Sequence, residues 1–575
     1  MLLTSSSAAA LRLSSAVLGS ALVGLASASE NSSESSIQWD DAGCPAAFAE
    51  LIAATAATGS VPLPIDCANL TVPLDYTQPG SNLTIDLQLA RIPALKQPSR
   101  GSIIVHFGGP GLYQTQNLVS LGEGLALLSG QGFDLVSWDQ RGTGATIPFN
   151  CFETNEEREL FTAFHSNIAV APNDTVSFGR SWALNQRQAE ICYSFAADKP
   201  HDVVGTVDTV MDVLQIVDAL GGDRKARFWG ISYGTAVGAT LAALYPERVE
   251  RLLLDSVVNI HQWYSGEQWE MQHDSDKTLS GFFRTCFEKP ELCSLAAANP
   301  NSTAGEVEEQ LYEKFDELRV RPLAFTNTSI PGAAILDDGQ AKSLIRAFLY
   351  NPVGYPFLSQ MIQLILADEV EEFAQLVNAI PAPEYGDSSL AITCSDNFLR
   401  TDDPADVVTI IEKSMELSRF LGDWVTYTLL YCASWKLELK QRFVRGFNDP
   451  VVLSTPPLLA GTEHDVVTPL ISAVNASASF PGSSVLRFNT FGHGLVNQPS
   501  LCTAKAVREY FEDGVLPPTD TVCEPAAHPW ENTEWDTLFD ELGYERPSGG
   551  NGTASNGTAA LEGGPERGAR FRARF

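Results

Sequence analysis

Short continuous apolar runs recur along the chain and predict a buried sheet. They cover residues 102–107, 133–138, 227–231, 249–255, 456–461 and 485–488. Strands that are buried on both faces and separated by helix-like segments are typical of a parallel sheet. Residues 83–92 instead alternate apolar and polar side chains, which predicts a half-exposed antiparallel strand.

Other segments have apolar side chains at helical spacing. Residues 206–220 follow this pattern and lead directly into the run at 227–231. The interval 258–450 is rich in the same pattern, for example at 405–417, and we interpret it as a mainly helical cap. A cap in this place would lie over the carboxyl ends of the strands, where ligands bind in open α/β sheets. The predicted fold class is therefore α/β, a mostly parallel sheet flanked by helices, with a large helical cap inserted between sheet strands.

The same patterns divide the 575-residue chain into five segments. We predict a signal peptide at 1–28, a core in two parts at 40–257 and 451–546, the cap at 258–450 and a disordered tail at 547–575. Within 1–28, Arg12 precedes an apolar run that is too short to span a membrane and ends in the small-residue pattern of a cleavage site. The tail is rich in Gly, Ala and Ser and ends with four arginines.

Charge and cysteine content bear on the binding partners and the cellular compartment. A net charge of −33 opposes binding to nucleic acid and to anionic membranes, because both are negatively charged. Ten cysteines, none in a Cys-x-x-Cys arrangement, and nine Asn-x-Ser/Thr sequons predict a secreted glycoprotein with disulfide bonds. The sequence leaves the connectivity open. Neighbours along the chain suggest the pairs Cys44–Cys67, Cys151–Cys192, Cys286–Cys293, Cys394–Cys432 and Cys502–Cys523.

The strongest candidate for chemistry is Ser232. It stands in Gly230-Ile-Ser-Tyr-Gly234, between an apolar strand and an apolar helix. A strand that turns at once into a helix forces its middle residue into a strained turn, and glycines on both sides leave room for that turn. The serine hydroxyl then projects at the end of the sheet, near the positive end of the helix, as a nucleophile requires.

A serine nucleophile needs a base and an orienting carboxylate, which follow it in the order Ser, Asp/Glu, His in this kind of sheet. His493 is the candidate base, because it follows a strand and has glycines on either side. Asp465, one strand earlier, is the candidate acid. Asp255 also ends a strand and is the rival acid, with Glu463 as a weaker one.

The oxyanion of an acyl-transfer reaction needs preorganised hydrogen-bond donors. The backbone N–H of Tyr233 follows the nucleophile and is predicted to be one of them. The second is expected from the glycine-rich loop 108–111, where we favour Gly109. The sequence contains no His-Glu-x-x-His motif and no cysteine–histidine cluster, so we expect no metal and no cofactor.

Motifs spread from Cys67 to Cys523 resemble those of a known family. They are Leu70-Thr-Val-Pro-Leu-Asp-Tyr76, Gly108-Gly-Pro-Gly111, Asp139-Gln-Arg-Gly-Thr-Gly144, Gly230-Ile-Ser-Tyr-Gly-Thr235, Leu252-Leu-Leu-Asp255, Ala391-Ile-Thr-Cys394, Asp465-Val-Val-Thr-Pro469 and Gly492-His-Gly494. The chain resembles the α/β-hydrolase serine peptidases of the tripeptidyl and prolyl aminopeptidase group, including their C-terminal region. The resemblance implies the α/β-hydrolase fold, the triad of Ser232, Asp465 and His493, and aminopeptidase activity.

Two points bear on the substrate. The family usually continues the Gly-Gly-Pro-Gly loop with small residues, whereas this chain has Leu112-Tyr-Gln114, which reshapes the mouth of the pocket. An aminopeptidase also needs carboxylates for the substrate ammonium, since a buried unpaired cation is costly. The candidates in the cap are Asp396, which we favour, and Glu267, Glu270, Asp402 and Asp403.

These observations leave three functional hypotheses. The first is a secreted serine exopeptidase that releases short N-terminal peptides or residues. The second is a secreted esterase or lactonase on the same scaffold, because fold and triad do not choose the acyl group. The third is a non-catalytic interaction protein, which the presence of all three triad residues disfavours. The expected partner is a peptide or small acyl substrate, and the sequence leaves the oligomeric state open.

Overall fold

The computed structural model describes residues 37–40, 43–56, 63–162, 171–196, 198–325, 335–378, 387–531 and 535–544. The predicted signal peptide and tail lie outside these residues, as do the sequons at Asn31, Asn327, Asn551 and Asn556. The strands are β1 Asp66–Pro73, β2 Thr84–Ile92, β3 Ser102–His106, β4 Asp134–Trp138, β5 Ala226–Ile231, β6 Val249–Asp255, β7 Leu323–Ala324, β8 Ile335–Leu336, β9 Leu458–His464, β10 Ser484–Phe491 and β11 Val522–Cys523.

Helices occupy most of the remaining described chain. The first six are α1 Ala46–Ala56, α2 Gln114–Leu128, α3 Asn155–Thr162, α4 Thr175–Ala196, α5 Thr206–Leu220 and α6 Gly234–Leu244. Ten follow β6: α7 Ile260–Ser265, α8 Ser275–Glu288, α9 Ser294–Ala298, α10 Ala304–Val320, α11 Asp338–Leu349, α12 Tyr355–Leu366, α13 Val370–Asn378, α14 Ser388–Asp396, α15 Ala405–Leu417 and α16 Val425–Ala433. The last three are α17 Leu470–Ser477, α18 Leu501–Asp513 and α19 Phe539–Leu542.

Nine strands form one twisted sheet in the order β1-β2-β4-β3-β5-β6-β9-β10-β11. Within this sheet the strands from β4 to β11 in that order pair in parallel, and β2 pairs antiparallel with its neighbours β1 and β4. β7 and β8 form a separate antiparallel pair. The prediction of a mostly parallel sheet is thus confirmed, and the antiparallel strand expected at 83–92 is β2. Because β3 and β5 are neighbours, with His106 opposite Gly230, the loops that follow these two strands lie together at one edge of the sheet.

The two faces of the sheet bury separate apolar clusters. Phe228 and Leu252 contribute to one cluster, and the next residues along each strand, Trp229 and Leu253, contribute to the other. This alternation follows from the period of two in a strand, and helices cover both faces. The continuous apolar runs in the sequence correspond to these doubly buried strands.

A long insertion, residues 256–457, separates β6 from β9, although these strands are neighbours in the sheet and Asp255 pairs with Ala460. It contains helices α7 to α16 and a core of its own, in which Phe282, Phe283 and Tyr355 are fully buried. The α/β fold with a mainly helical insertion between sheet strands is therefore confirmed.

All ten cysteines are paired, and the five pairs are those suggested by the order of the cysteines along the chain. Disulfides of this number fit an oxidising compartment. Cys394–Cys432 joins α14 to α16 within the insertion. Within the part of the chain that the structure describes, helices long and apolar enough to cross a membrane are absent.

Candidate active site

Ser232 occupies the turn between β5 and α6 with a φ of +59°, an uncommon backbone conformation for a residue with a side chain. The flanking positions 230 and 234 have no room for a side chain. A Cβ at position 230 would lie 2.1 Å from the carbonyl oxygen of Gly234, and one at position 234 would lie 2.2 Å from the carbonyl oxygen of His106. The Ser232 N–H donates to the carbonyl of Asp255 on the neighbouring strand at 3.0 Å, which anchors the turn to the sheet.

Asp465 and His493 are in direct contact. Oδ2 of the fully buried Asp465 carboxylate accepts a hydrogen bond from Nδ1 of His493 at 2.8 Å. Burial alone would raise the pKa of Asp465, but the charge of His493, its hydrogen bond and those of Thr468 hold that pKa below its ordinary value. The carboxylate therefore stays ionised and can orient the imidazole and stabilise its protonated form.

Two further residues complete the surroundings of this carboxylate. Its Oδ1 accepts from the backbone N–H groups of Val467 at 2.8 Å and Thr468 at 3.0 Å, and its Oδ2 accepts from the Thr468 hydroxyl at 2.7 Å. Oγ1 of Thr468 also lies 3.0 Å from Nδ1 of His493. Thr468 thus touches both the acid and the base and fixes the angle between them.

The insertion holds the loop that carries His493. The backbone N–H of His493 donates to the carbonyl of Tyr350, just beyond α11, at 2.8 Å. The same carbonyl accepts from Nδ2 of Asn497 at 3.1 Å, and that side chain also donates to the carbonyl of His493. The Tyr350 ring packs edge-on against the imidazole with 5.3 Å between the ring centres. The base is therefore positioned by residues from both the sheet region and the insertion.

The nucleophile turn and the base loop meet at Asp255. Its carboxylate accepts hydrogen bonds from the Leu495 N–H at 3.1 Å and from the Trp229 indole at 3.2 Å. Its backbone carbonyl accepts from Ser232, so one residue connects the two loops. None of the hydrogen bonds between described residues joins the Ser232 hydroxyl to His493. Such contacts often form or tighten only with bound substrate.

The rival acids lie elsewhere. Asp255 takes its hydrogen bonds from Leu495 and Trp229, and burial raises its pKa to about 7 against the lowering effect of those bonds. Glu463 forms ion pairs with Lys277 and Arg487, both at 2.7 Å. The contact with His493 belongs to Asp465, the residue favoured from the sequence.

Of the two predicted oxyanion donors, Tyr233 lies in the nucleophile turn itself and Gly109 lies on the loop beside that turn. A Cβ at Gly108 would lie 2.8 Å from both Cβ of Ser232 and the backbone N of Tyr233, so this loop presses against the turn. The Gly108 N–H donates to Nδ1 of His106 at 3.1 Å. Burial lowers the pKa of His106 to about 4, so its imidazole is neutral and accepts at Nδ1. Among the hydrogen bonds of the described residues, the N–H groups of Gly109 and Tyr233 donate none.

Of the predicted ammonium-binding carboxylates, Asp396 is buried behind Tyr233. It accepts from the Thr206 N–H at 2.9 Å, from the Thr206 hydroxyl at 2.5 Å and from the Trp263 indole at 3.1 Å. Burial raises its pKa to about 6 despite those hydrogen bonds. Asp402 and Asp403 are exposed, and Glu267 accepts only from the Trp269 indole at 3.1 Å among the contacts of the described chain.

Glu270 has a different setting. It is 5% exposed and accepts from the Asn259 amide at 2.8 Å, the Ser472 hydroxyl at 2.7 Å and the Asn475 amide at 2.6 Å. All three donors are neutral, and no Lys or Arg pairs with Glu270 within the described ranges. Asn259, Ser472 and Thr468 line a small cavity of about 20 Å³. The carboxylate of Glu270 therefore lies directly behind the lining of this cavity, which also includes the threonine that contacts His493. The amide of Asn475 is the acceptor of a predicted sequon, and it is half-buried, whereas Asn69, Asn82, Asn173 and Asn301 are exposed.

Comparison with known proteins agrees with the fold. The family model described as alpha/beta hydrolase fold matches residues 101–296, and the model described as TAP-like protein matches residues 418–523. The tripeptidyl aminopeptidase of Streptomyces coelicolor is 24% identical over 532 residues, which are 88% of this chain and 89% of that protein. Serine protease Hip1 of Mycobacterium tuberculosis is 26% identical over 483 residues, 80% of this chain and 87% of that protein.

Two other matches carry different names. Carboxylesterase B of Mycobacterium tuberculosis is 25% identical over 484 residues, 80% of this chain and 86% of that protein. The crystal structure of esterase E22 covers 78% of this chain and all of its own (100%), with 14% identity and a TM-score of 0.32.

The sheet, the turn at Ser232 and the matched family model define the chain as an α/β hydrolase. With the TAP-like match at 418–523 and the nearly full-length curated relatives, it is similar, within that fold, to tripeptidyl aminopeptidases. The resemblance found in the sequence motifs is thereby confirmed.

The sequence predicted Ser232, Asp465 and His493 as a triad but gave no role to the residues around them. Thr468 lies in the motif Asp465-Val-Val-Thr-Pro469, and Gln114 lies in the unusual continuation of the glycine-rich loop. Neither residue had a predicted role. Thr468 could have been found from its position three residues after Asp465, because a threonine hydroxyl there can donate to the aspartate carboxylate, as in an Asx-type turn. Tyr350 acts through its carbonyl, which every residue has, so no side-chain pattern marks it.

Proposed function

We propose that the chain is an exported serine peptidase that releases short peptides or single residues from free N-termini. The observation that carries the proposal is the contact between Asp465 and His493 beside a serine in a strained turn at the end of β5. The names of the relatives, tripeptidyl aminopeptidase and serine protease, support peptide substrates. The five disulfides support export.

In the proposed reaction, His493 takes the proton from Oγ of Ser232 as that oxygen attacks the scissile carbonyl carbon. The N–H groups of Tyr233 and Gly109 stabilise the tetrahedral oxyanion. The imidazolium, oriented by Asp465, gives its proton to the leaving amine, and the C–N bond breaks to leave an acyl-enzyme. A water molecule then attacks the ester with His493 as base, and Ser232 recovers its proton as the peptide acid leaves.

The free N-terminus has to be recognised by negative charge. Among the predicted carboxylates, Glu270 is supported best, because its charge meets only neutral donors in the described chain and two of those donors line the cavity next to Thr468. Asp396 is enclosed by Thr206 and Trp263, which supports a structural role in placing α14 against Tyr233.

The test compares peptide amides that differ only in a free or acetylated N-terminus. The proposal expects cleavage of the free form and slow cleavage of the acetylated form, with products one to a few residues long. A fluorophosphonate probe should label the wild type and not Ser232→Ala. Equal rates on both peptides would exclude aminopeptidase specificity. Labelling of Ser232→Ala would exclude Ser232 as the nucleophile.

A second candidate function is hydrolysis of small esters or lactones by the same triad. The relative named Carboxylesterase B favours it, and the triad serves either acyl group. Activity on short-chain esters together with no cleavage of any peptide in a mixed library would favour this candidate over the peptidase.

A further inference from the structure

The loop that carries Gly109 is built around one buried side chain, that of Gln114. This residue is the first of α2 and has no exposed surface. Its Oε1 accepts from the Phe107 N–H at 2.7 Å, and its Nε2 donates to the carbonyls of Gly108 at 2.9 Å and Leu112 at 3.1 Å. Both amide hydrogens are therefore used, and the side chain ties together the two ends of the loop that contains Gly109.

The opposite side of the loop is fixed by its neighbours. Gly108 donates to the neutral imidazole of His106, and its α-carbon packs against the nucleophile turn so closely that no side chain fits. A Cβ at Gly111 would lie 2.9 Å from the backbone N of Ser389, so α14 closes the loop from outside. The loop has little freedom once the Gln114 bonds are in place.

We propose that Gln114 is a positioning residue that holds the Gly109 N–H where it stabilises the oxyanion. The inference rests on the proposed function, in which Ser232 attacks an acyl carbon. Preorganised donors stabilise a transition state only when they are held within about half an ångström of the productive geometry. Loss of the amide would leave two carbonyls and one N–H of this loop buried without their partner, so the loop would shift to satisfy them.

The test uses Gln114→Met, which keeps the length of the side chain but removes its three hydrogen bonds, and Gln114→Glu, which keeps the acceptor for Phe107 and loses both donors. Gln188→Met is the matched control, because Gln188 is a buried glutamine on α4 (5% exposed) that accepts from the Tyr427 hydroxyl at 3.4 Å. The measurements are kcat and KM on a small activated ester, the inhibition constant of an aryl trifluoromethyl ketone, and the melting temperature.

The expected result is a fall in kcat of about 10- to 100-fold for Gln114→Met with KM little changed, since loss of a whole oxyanion donor costs about 10²- to 10³-fold. The ketone forms a tetrahedral adduct on the serine, so its affinity should fall by the same factor as kcat/KM. Gln114→Glu should likewise lower kcat with little change in KM, and Gln188→Met should retain the wild-type kcat.

Folded variants at position 114 with wild-type kcat, or a loss confined to KM, would overturn the proposal. If Gln114→Met fails to fold, the kcat of Gln114→Glu decides in the same way. Failure of the underlying function is distinguishable, because the wild type itself would then be inactive or unlabelled by fluorophosphonate, or Ser232→Ala would retain the wild-type rate.

Discussion

The carboxylate of Asp465 lies 2.8 Å from Nδ1 of His493, whereas the equally buried carboxylate of Asp255 contacts Leu495, two residues further along the same loop. Two acids thus flank the same loop, and only one touches the imidazole. This arrangement separates the role of orienting the base from the role of holding its loop.

We expect Asp465→Asn to lower kcat by about 10³- to 10⁴-fold, because an amide favours the wrong tautomer of the imidazole and does not stabilise its protonated form. Asp255→Asn is the matched comparison, as it keeps an acceptor for Leu495 and should lose far less. Steady-state rates on one ester substrate measure both. A larger loss for Asp255→Asn would assign the orienting role to that residue instead.

Thr468→Val should lower kcat/KM by about 10- to 100-fold, which corresponds to one hydrogen bond to a charged group, worth about 1.5–3 kcal/mol. The hydroxyl of Thr468 donates to Asp465 and touches Nδ1 of His493, and valine keeps its volume but not this donor. Thr468→Ser retains the hydroxyl and should recover most of the rate. A valine variant at least as active as the serine variant would show that the hydrogen bond from the hydroxyl does not contribute.

Glu270→Gln should raise KM for a peptide with a free N-terminus by about fivefold, roughly 1 kcal/mol, and leave KM for the acetylated peptide unchanged. The amide oxygen can still accept from Ser472 and Asn259, so the variant loses the charge and the hydrogen bond from Asn475. The acetylated peptide is an internal control for folding. A parallel rise in both KM values would mean that the charge does not recognise the ammonium group.

Two glycines beside the base differ in the space around them. Gly492 and Gly494 have φ values of +94° and +100°, so alanine is strained at both. A Cβ at position 492 would lie 2.8 Å from the carbonyl of Tyr350, while the nearest atom to one at position 494 is 3.7 Å away. We expect Gly492→Ala to reduce kcat/KM more than Gly494→Ala, since only the former pushes the base loop from the insertion. Equal losses would attribute the effect to backbone strain alone.

Four buried carboxyl groups should favour the folded state on mild acidification. Burial raises the pKa of Asp139 and Asp396 to about 6 and that of Asp208 and Asp255 to about 7, while unfolded aspartates titrate near 3.9. At these groups the folded state binds more protons between about pH 4 and pH 7, and each such proton costs roughly 1.4 kcal/mol of unfolding free energy for every pH unit of increase. The buried histidines act in the opposite direction below about pH 6.5, because burial lowers the pKa of His106, His201 and His464 to about 4.

The contribution of one carboxyl can be isolated by comparing the melting temperature near pH 5 with that near pH 7.5 by scanning calorimetry. Asp208→Asn should lower the melting temperature at pH 5 relative to that at pH 7.5, because it removes one group that binds a proton only in the folded state over this range. The amide can keep the hydrogen bond from Gln441, which donates only to Oδ1, while Oδ2 has no hydrogen-bond partner among the described residues. The same pH dependence in Asp208→Asn and in the wild type would contradict the prediction.

The sequence predicted the sheet well because its strands are buried on both faces, so their composition is set by local surroundings. It also predicted the turn at Ser232, where the short reach between strand and helix demands glycine. Helix α2 escaped notice, since Gly122 and Gly124 lower its helix propensity. Both are required by packing, and a Cβ at Gly122 would lie 2.1 Å from the side chain of Ile92. Contacts such as Tyr350 with His493 join distant segments through the backbone and leave no pattern to detect.

The hydrogen bond from His493 to Tyr350 makes the insertion part of the support of the imidazole. In the proposed enzyme, the segment just after α11 therefore has to stay in place while His493 acts, and substrate has to enter past other parts of the insertion. Replacement of this region by that of a relative would transfer specificity only if the new segment places a backbone carbonyl where that of Tyr350 lies, so that it can accept from His493. Deletion of it would leave a serine and an aspartate in place beside an unsupported base.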